Sequence, residues 1–209
     1  MKEKQSEAIP VSLAEALSSL SIKRFAFHSE ADFQFSLALE LNKHYPEWEI
    51  RLEYPDDSRE KRRYFDLYLT LGEQRIPIEL KYKTGLSRFK TGKEEYSLKE
   101  QSAEDLGRLN FLQDVERLEQ MDSNPFGYAV LLTNVPAYWE TAKRRNTRDS
   151  AFRLHEGRTV EGTLLWGKGE DIFEANTVRL KKSYLLNWTD YSKVDAESNN
   201  RFRYLLLEV

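Results

Sequence analysis

The sequence has no cysteine, only three histidines and no long apolar run, and each shortage closes off a class of protein. Without cysteine there is neither a disulfide framework nor a thiolate metal site. His28, His44 and His155 are too few for a multi-histidine zinc centre, so any metal is expected to sit among oxygen donors. The longest purely apolar runs span a few residues, as at Val130-Leu131-Leu132, far short of the roughly 20 that cross a bilayer. The charged opening Met1-Lys2-Glu3-Lys4 is not followed by the apolar stretch of a secretory signal, so a cytoplasmic protein with no membrane partner is expected. Nine glycines and six prolines are scattered rather than gathered into a linker, and no internal repeat or low-complexity segment appears. Nor is there a large excess of one charge: the net charge of −3 excludes a protein that coats nucleic acid by bulk electrostatics.

What is present suffices for one substantial core. Of 209 residues, 40% are hydrophobic and 12% aromatic, so residues 1–209 are expected to form a single domain. Ser12 and Glu15 have capping-box spacing, and Leu13, Ala16, Leu17 and Leu20 then recur at helical intervals. Ser29 can cap a second helix striped by Phe33, Leu37, Ala38 and Leu41, with Glu30 in its first turn; it should end before Tyr45-Pro46. Glu49 to Glu53 alternates as a short strand. Phe65, Leu67, Leu69 and Leu71 alternate with Tyr64, Asp66, Tyr68 and Thr70, and after a turn at Gly72 to Gln74, Ile76, Ile78, Leu80 and Tyr82 alternate with Pro77, Glu79, Lys81 and Lys83. This predicts a hairpin with one apolar face. Its other face would carry Asp66, Glu79 and Lys81.

Those three residue types suit phosphodiester hydrolysis, which needs a nucleophilic water and neutralisation of charge growing on the phosphoryl oxygens. Two carboxylates with a backbone carbonyl from Ile78 or Leu80 can seat a hard cation such as Mg²⁺, which prefers oxygen and keeps several waters. A lysine two residues past the glutamate shares its face and can orient or help deprotonate the attacking water. The bland reading is a solvated face with a cross-strand ion pair of little worth. Against it, Glu79-Leu80-Lys81 is the only Glu-x-Lys in the chain and lies in a strongly apolar strand.

With these segments in view, Glu30-Ala31-Asp32-Phe33, Phe65-Asp66-Leu67 and Ile78-Glu79-Leu80-Lys81-Tyr82 together resemble the PD-(D/E)XK nuclease superfamily over about residues 28–135. The resemblance implies an α/β fold with a restriction-endonuclease-like αβββαβ core. That core has a mixed central sheet flanked by helices; additional C-terminal strands over about 136–209 would elaborate it. It implies metal ligands at Asp66 and Glu79, a catalytic lysine at Lys81, Mg²⁺ or Mn²⁺ as cofactor, and DNA as substrate; a homodimer is open to it. Phe65 stands where the motif's name has proline. A helix-borne glutamate would complete the metal shell; Glu30 matches best, with Glu40, otherwise an ordinary exposed helix residue, as the competitor.

Further along, Ser97 to Met121 reads as one largely buried helix, in which Gln101, Asp105 and Arg108 fall on one face. Gln101 would orient water or phosphate, whereas Asp105 with Arg108 and Asp114 with Arg117 read as helix-surface ion pairs. The glycine-bearing stretch from Tyr82 to Tyr96, with Arg88 and Lys90, would be either a flap over substrate or a plain connection. Six basic residues against two acidic ones from Lys143 to Arg158 make Arg144, Arg145 and Arg148 candidates for nucleic-acid contact, the alternative being a solvated loop. Tyr138 and Trp139 could stack on bases or belong to the core. Tyr128–Asn134, Thr163–Trp166, Val178–Trp188 and Arg203–Val209 read as strands. The other function class open to the sequence is a catalytically silent relative that binds nucleic acid or protein.

Overall fold

A computed structural model describes residues 10–56, 63–121, 126–144, 146–193 and 200–209. Two helices open it. Helix α1 spans Leu13–Lys23 and α2 spans Glu30–His44, and in each the serine just outside accepts an amide from the first turn: Ser12 from Glu15 and Ser29 from Asp32. The expected stripes, Leu13, Ala16, Leu17 and Leu20 in α1 and Phe33, Leu37 and Leu41 in α2, are buried.

Three antiparallel strands follow, β1 (Glu49–Asp56), β2 (Arg63–Leu71) and β3 (Gln74–Lys83). A small hairpin, β4 (Ser87–Thr91) and β5 (Glu94–Leu98), precedes helix α3 (Glu104–Glu119) and strand β6 (Tyr128–Thr133). Because β6 lies parallel to β3, the chain must cross over a face of the sheet between them, and α3 does so. Strands β7 (Thr159–Leu164) and β8 (Val178–Leu185) pair with each other, whereas β9 (Trp188–Lys193) and β10 (Arg201–Glu208) join the main sheet. That sheet has six strands in the order β1-β2-β3-β6-β10-β9, mixed in direction. The protein is thus a mixed α/β fold with a central six-stranded sheet. No described helix is long and apolar enough to cross a membrane.

Both faces of the sheet are covered, so there are two cores. Leu67, Leu69, Ile76, Ile78, Leu80, Val130 and Leu132 pack with the apolar stripes of α1 and α2. Phe65, Tyr68, Ala129, Leu131, Leu205 and Leu207 pack with α3 and with β7 and β8. A strand buried on both sides reads as a near-continuous apolar run, and β6 is buried at all six positions. This changes the setting expected for Asp66, Glu79 and Lys81. Alternation does place them opposite Leu67, Ile78 and Leu80, but the face they occupy lies under α3 rather than in solvent.

Several local expectations change for identifiable reasons. The stretch expected as flap or connection is the β4–β5 hairpin, built on buried Phe89, Tyr96 and Leu98 and turned at Gly92, whose φ of +60° suits a residue without a Cβ. Helix α3 begins at Glu104, not Ser97, so Gln101 precedes it and the supposed common face with Asp105 and Arg108 does not exist. Val178–Trp188 divides at Leu186-Asn187, where the chain leaves the β7–β8 pair for the main sheet. Tyr138 and Trp139 keep to the second of their two readings and belong to the core.

Candidate active site

The site forms where β2 and β3 separate. Their ladder runs from the turn to the Leu67–Ile78 pair and stops there. Beyond it the amide of Leu80 donates to Asp66 Oδ2 at 2.6 Å, and the amide of Tyr82 donates to Glu30 Oε2 at 2.7 Å. Two carboxylates, one from β2 and one from the start of α2, therefore take backbone donors that a longer β2 would have satisfied. Helix α2 is held there by Tyr82, whose hydroxyl donates to Phe27 O (2.9 Å) and accepts from Phe27 N (3.2 Å), three residues before Glu30. One helical turn on from Glu30, Gln34 Nε2 donates to Asp66 O at 2.6 Å and to Glu53 Oε1 at 2.8 Å. Glu53, opposite Asp66 by register, has φ +49°, an unusual conformation for a residue with a side chain. The backbone on both sides of Asp66 is thereby pinned.

On the α3 side the charges interlock. Glu79, 3% exposed, contacts the guanidinium of Arg117, which also donates to Tyr64 O at 3.2 Å and lies 5.0 Å from the centre of the Phe65 ring. Lys81 Nζ is 2.7 Å from Asp114 Oδ2 and 3.2 Å from Leu80 O. Asp114 Oδ1 is 3.7 Å from Arg117, so the spacing read as a surface pair is part of a partly buried network instead. Burial pushes Asp66 up to about 6, the attraction of Lys81 and the Leu80 amide only partly offsetting it. Burial, with repulsion from Asp114 and Asp66, also pushes Glu79 up, while the guanidinium in direct contact with it and Lys81 pull it back toward the ionised form. Lys81 moves further up: burial alone would lower it, but Asp114 and Asp66 outweigh that and hold it as the ammonium. Lys81 can therefore orient a water or oppose phosphate charge. It is not a base that takes the water's proton while Asp114 faces it.

Of the two glutamates weighed for the helix position, Glu30 reaches the site. Glu40 is not an ordinary exposed residue but is buried between α1 and α2, bound by Lys23 (2.5 Å) and Ser19 (2.6 Å); burial would raise its pKa, yet these partners bring it down to about 2. Gln101 is exposed, and its backbone N–H donates to Thr84 O at 2.9 Å; it lines a cavity of about 300 Å³ with Glu30, Tyr82 and Thr84 that Asp66, Glu79 and Lys81 do not line. Arg108 is buried against Asp149 at 2.8 Å rather than paired with Asp105, which accepts the Leu106 amide. Arg88 and Lys90 are exposed on β4, Arg148 is exposed 3.9 Å from Asp171, and Arg144 is exposed between β6 and β7. Arg145 lies outside the described residues. Arg88 and Lys90 share β4, whereas Arg144 and Arg148 lie in the connection between β6 and β7.

Could this set hold a divalent ion? Among the described residues no three acidic or histidine side chains converge as they would in an all-protein metal cage. Mg²⁺, however, commonly takes one or two carboxylates, waters and substrate phosphate. Asp66, Glu79 and the Leu80 carbonyl are hard oxygen donors of that kind, with Glu30 nearby, so the donor chemistry fits. Arg117 is the obstacle, because it already neutralises Glu79. Compared with known proteins, the chain matches no family model, no curated protein and no solved structure.

Proposed function

We propose that the protein is a divalent-metal-dependent nuclease of the PD-(D/E)XK, restriction-endonuclease-like kind, hydrolysing phosphodiester bonds in DNA. The observation that carries this reading is the meeting of Asp66, Glu79 and Lys81 at the parting of β2 and β3, with Glu30 on the same strand edge. The helix, three antiparallel strands, helix and parallel strand of α2 to β6 support it, since this is the order the resemblance implies, with the β4–β5 hairpin inserted before α3. When bound, the metal would supply Lewis acidity and a water made acidic enough to attack at neutral pH. Asp66 and Glu79 would hold it, with Leu80 O as a third donor. Lys81, kept charged by Asp114, would position the water and offset negative charge on the phosphate. Gln34 and the Leu80 amide hold Asp66 in place for this task.

One observation favours a second reading, a catalytically silent member of the same fold that binds nucleic acid or protein. Arg117 on buried Glu79 and Lys81 on half-buried Asp114 already balance these carboxylates, as a site retired from metal binding would. Incubation with linear, circular and single-stranded DNA, in Mg²⁺ or Mn²⁺ and with EDTA controls, separates the two. Cleavage that is lost in Asp66→Ala, Glu79→Ala and Lys81→Ala supports the nuclease; full activity in all three variants sinks the proposed site. DNA binding without any cleavage selects the silent module.

A further inference from the structure

A second concentration of unusual groups lies between β6 and β7, on residues of which the sequence singled out only Arg144, as a candidate for nucleic-acid contact. A pocket of about 270 Å³ is lined by Thr141, Arg144, Ser150, Arg153, His155 and Arg158, with no acidic residue among the described residues of its wall. Arg158 turns the wall on itself, donating to the carbonyls of Ser150 (3.0 Å), Ala151 (2.8 Å) and Arg153 (2.9 Å), and these neutral partners leave its charge uncompensated. Arg153 meets Asp149 at 3.1 Å, but that carboxylate is shared with Arg108 at 2.8 Å. Arg144 makes no ion pair among the described residues. Two polar atoms of the wall residues are buried without a hydrogen-bond partner among the described residues, Arg153 Nε and His155 Nδ1. Buried polar groups are nearly always satisfied, and with its proton on Nδ1 the His155 ring would bring an unused donor to this cationic wall.

We infer that this pocket binds a phosphate dianion, carried either by the phosphorylated end of a nucleic-acid strand or by a free phosphate ester. Guanidinium groups match phosphate oxygens in geometry and carry charge at every physiological pH, and an imidazole N–H adds a directed donor. The surroundings of His155 point the same way: burial lowers its pKa, and the charges acting on it, Arg158 and Arg153, are both cations that lower it further. A bound dianion reverses that field. The site does not depend on Asp66 and Glu79, so absence of cleavage would leave it standing.

The test is a titration of the full chain with inorganic phosphate at low salt, followed on the imidazole proton resonances. With three histidines in the sequence, His155→Gln assigns the resonance. Phosphate should move the His155 signal saturably at millimolar concentration and raise its pKa by at least half a unit, ~0.5, while His28 and His44 stay unmoved. Arg144→Gln, a change at an exposed position, should weaken binding about tenfold with an unchanged amide spectrum, as expected for the loss of one charge-assisted contact. A short oligonucleotide with a 5′-phosphate that binds more tightly than its 5′-hydroxyl form assigns the ligand to a strand end. Equal binding of the two strands, with phosphate still shifting His155, assigns it to a free ester. A His155 signal indifferent to phosphate, or a response unaltered in Arg144→Gln, overturns the proposal.

Discussion

Asp66→Asn should stabilise the protein near neutral pH while removing its proposed chemistry. Asp66 accepts the Leu80 amide at 2.6 Å through one oxygen, and an asparagine carbonyl can accept the same bond, so the local fold keeps its pin. What the substitution deletes is a charge that burial disfavours. The native pKa of about 6 lies above the reference 3.8, so the folded state holds this proton more tightly than the unfolded chain. The associated stability is fully present below about pH 4 and is lost as pH rises through about 6. At 1.36 kcal/mol per unit, ionised Asp66 costs roughly 3 kcal/mol at pH 8. For a chain of this size that is a rise of about 6–12 °C in the Tm of the variant at pH 8, fading towards zero at pH 4. Lys81 does not become an orphan, because Asp114 remains 2.7 Å away. Chemical denaturation at the two pH values measures the difference. An Asn variant equally destabilised at pH 4 and pH 8 would refute the desolvation argument.

Two further substitutions probe the packing around the same helix. Arg117→Met strips the counter-charge from a glutamate that is 3% exposed, and should cost roughly 3 kcal/mol in urea unfolding; adding Glu79→Met should recover more than half of it, whereas additive losses would show that the two groups are not coupled. A Cβ on Gly107, on the buried side of α3, would stand 2.2 Å from the Tyr138 hydroxyl, so Gly107→Ala should destabilise by about 1–3 kcal/mol. Tyr138→Phe in the same chain should relieve most of that loss, and no relief would mean that the helix shifts instead.

The parts of the fold that sequence revealed are those written in local periodicity. Ser12 and Ser29 sit where a cap must, the stripes after them run at helical spacing, and Gly72 to Gln74 separates two alternating runs, so α1, α2 and the β2–β3 hairpin follow from neighbouring residues. The β4–β5 hairpin carries a comparable signal, Phe89 and Tyr96 flanking Thr91-Gly92, but Arg88, Lys90 and Lys93 interrupt it with charge, so the alternation is weaker. At the candidate site, Asp66, Glu79, Lys81 and Glu30 were legible because each lies on an element with a clear period. Arg117 and Asp114 were not, since their spacing is that of any helix-surface pair; only the packing of α3 across the sheet turns them inward. Gln34 did carry a signal, lying one turn from Glu30 on α2. A polar residue there among Phe33, Leu37 and Leu41 marks a face directed at the site.

The question underneath all of this is whether Arg117 stands in for a metal or yields to one. Low-dielectric surroundings make the Glu79–Arg117 contact strong, yet a divalent ion brings twice the charge and its own waters to the same carboxylate. Crystals soaked in Mn²⁺ answer it directly through anomalous scattering. The account predicts a peak bounded by Asp66, Glu79 and the Leu80 carbonyl, with Arg117 displaced from Glu79. Crystals saturated with Mn²⁺ that show no peak there, and Arg117 still on Glu79, would contradict it.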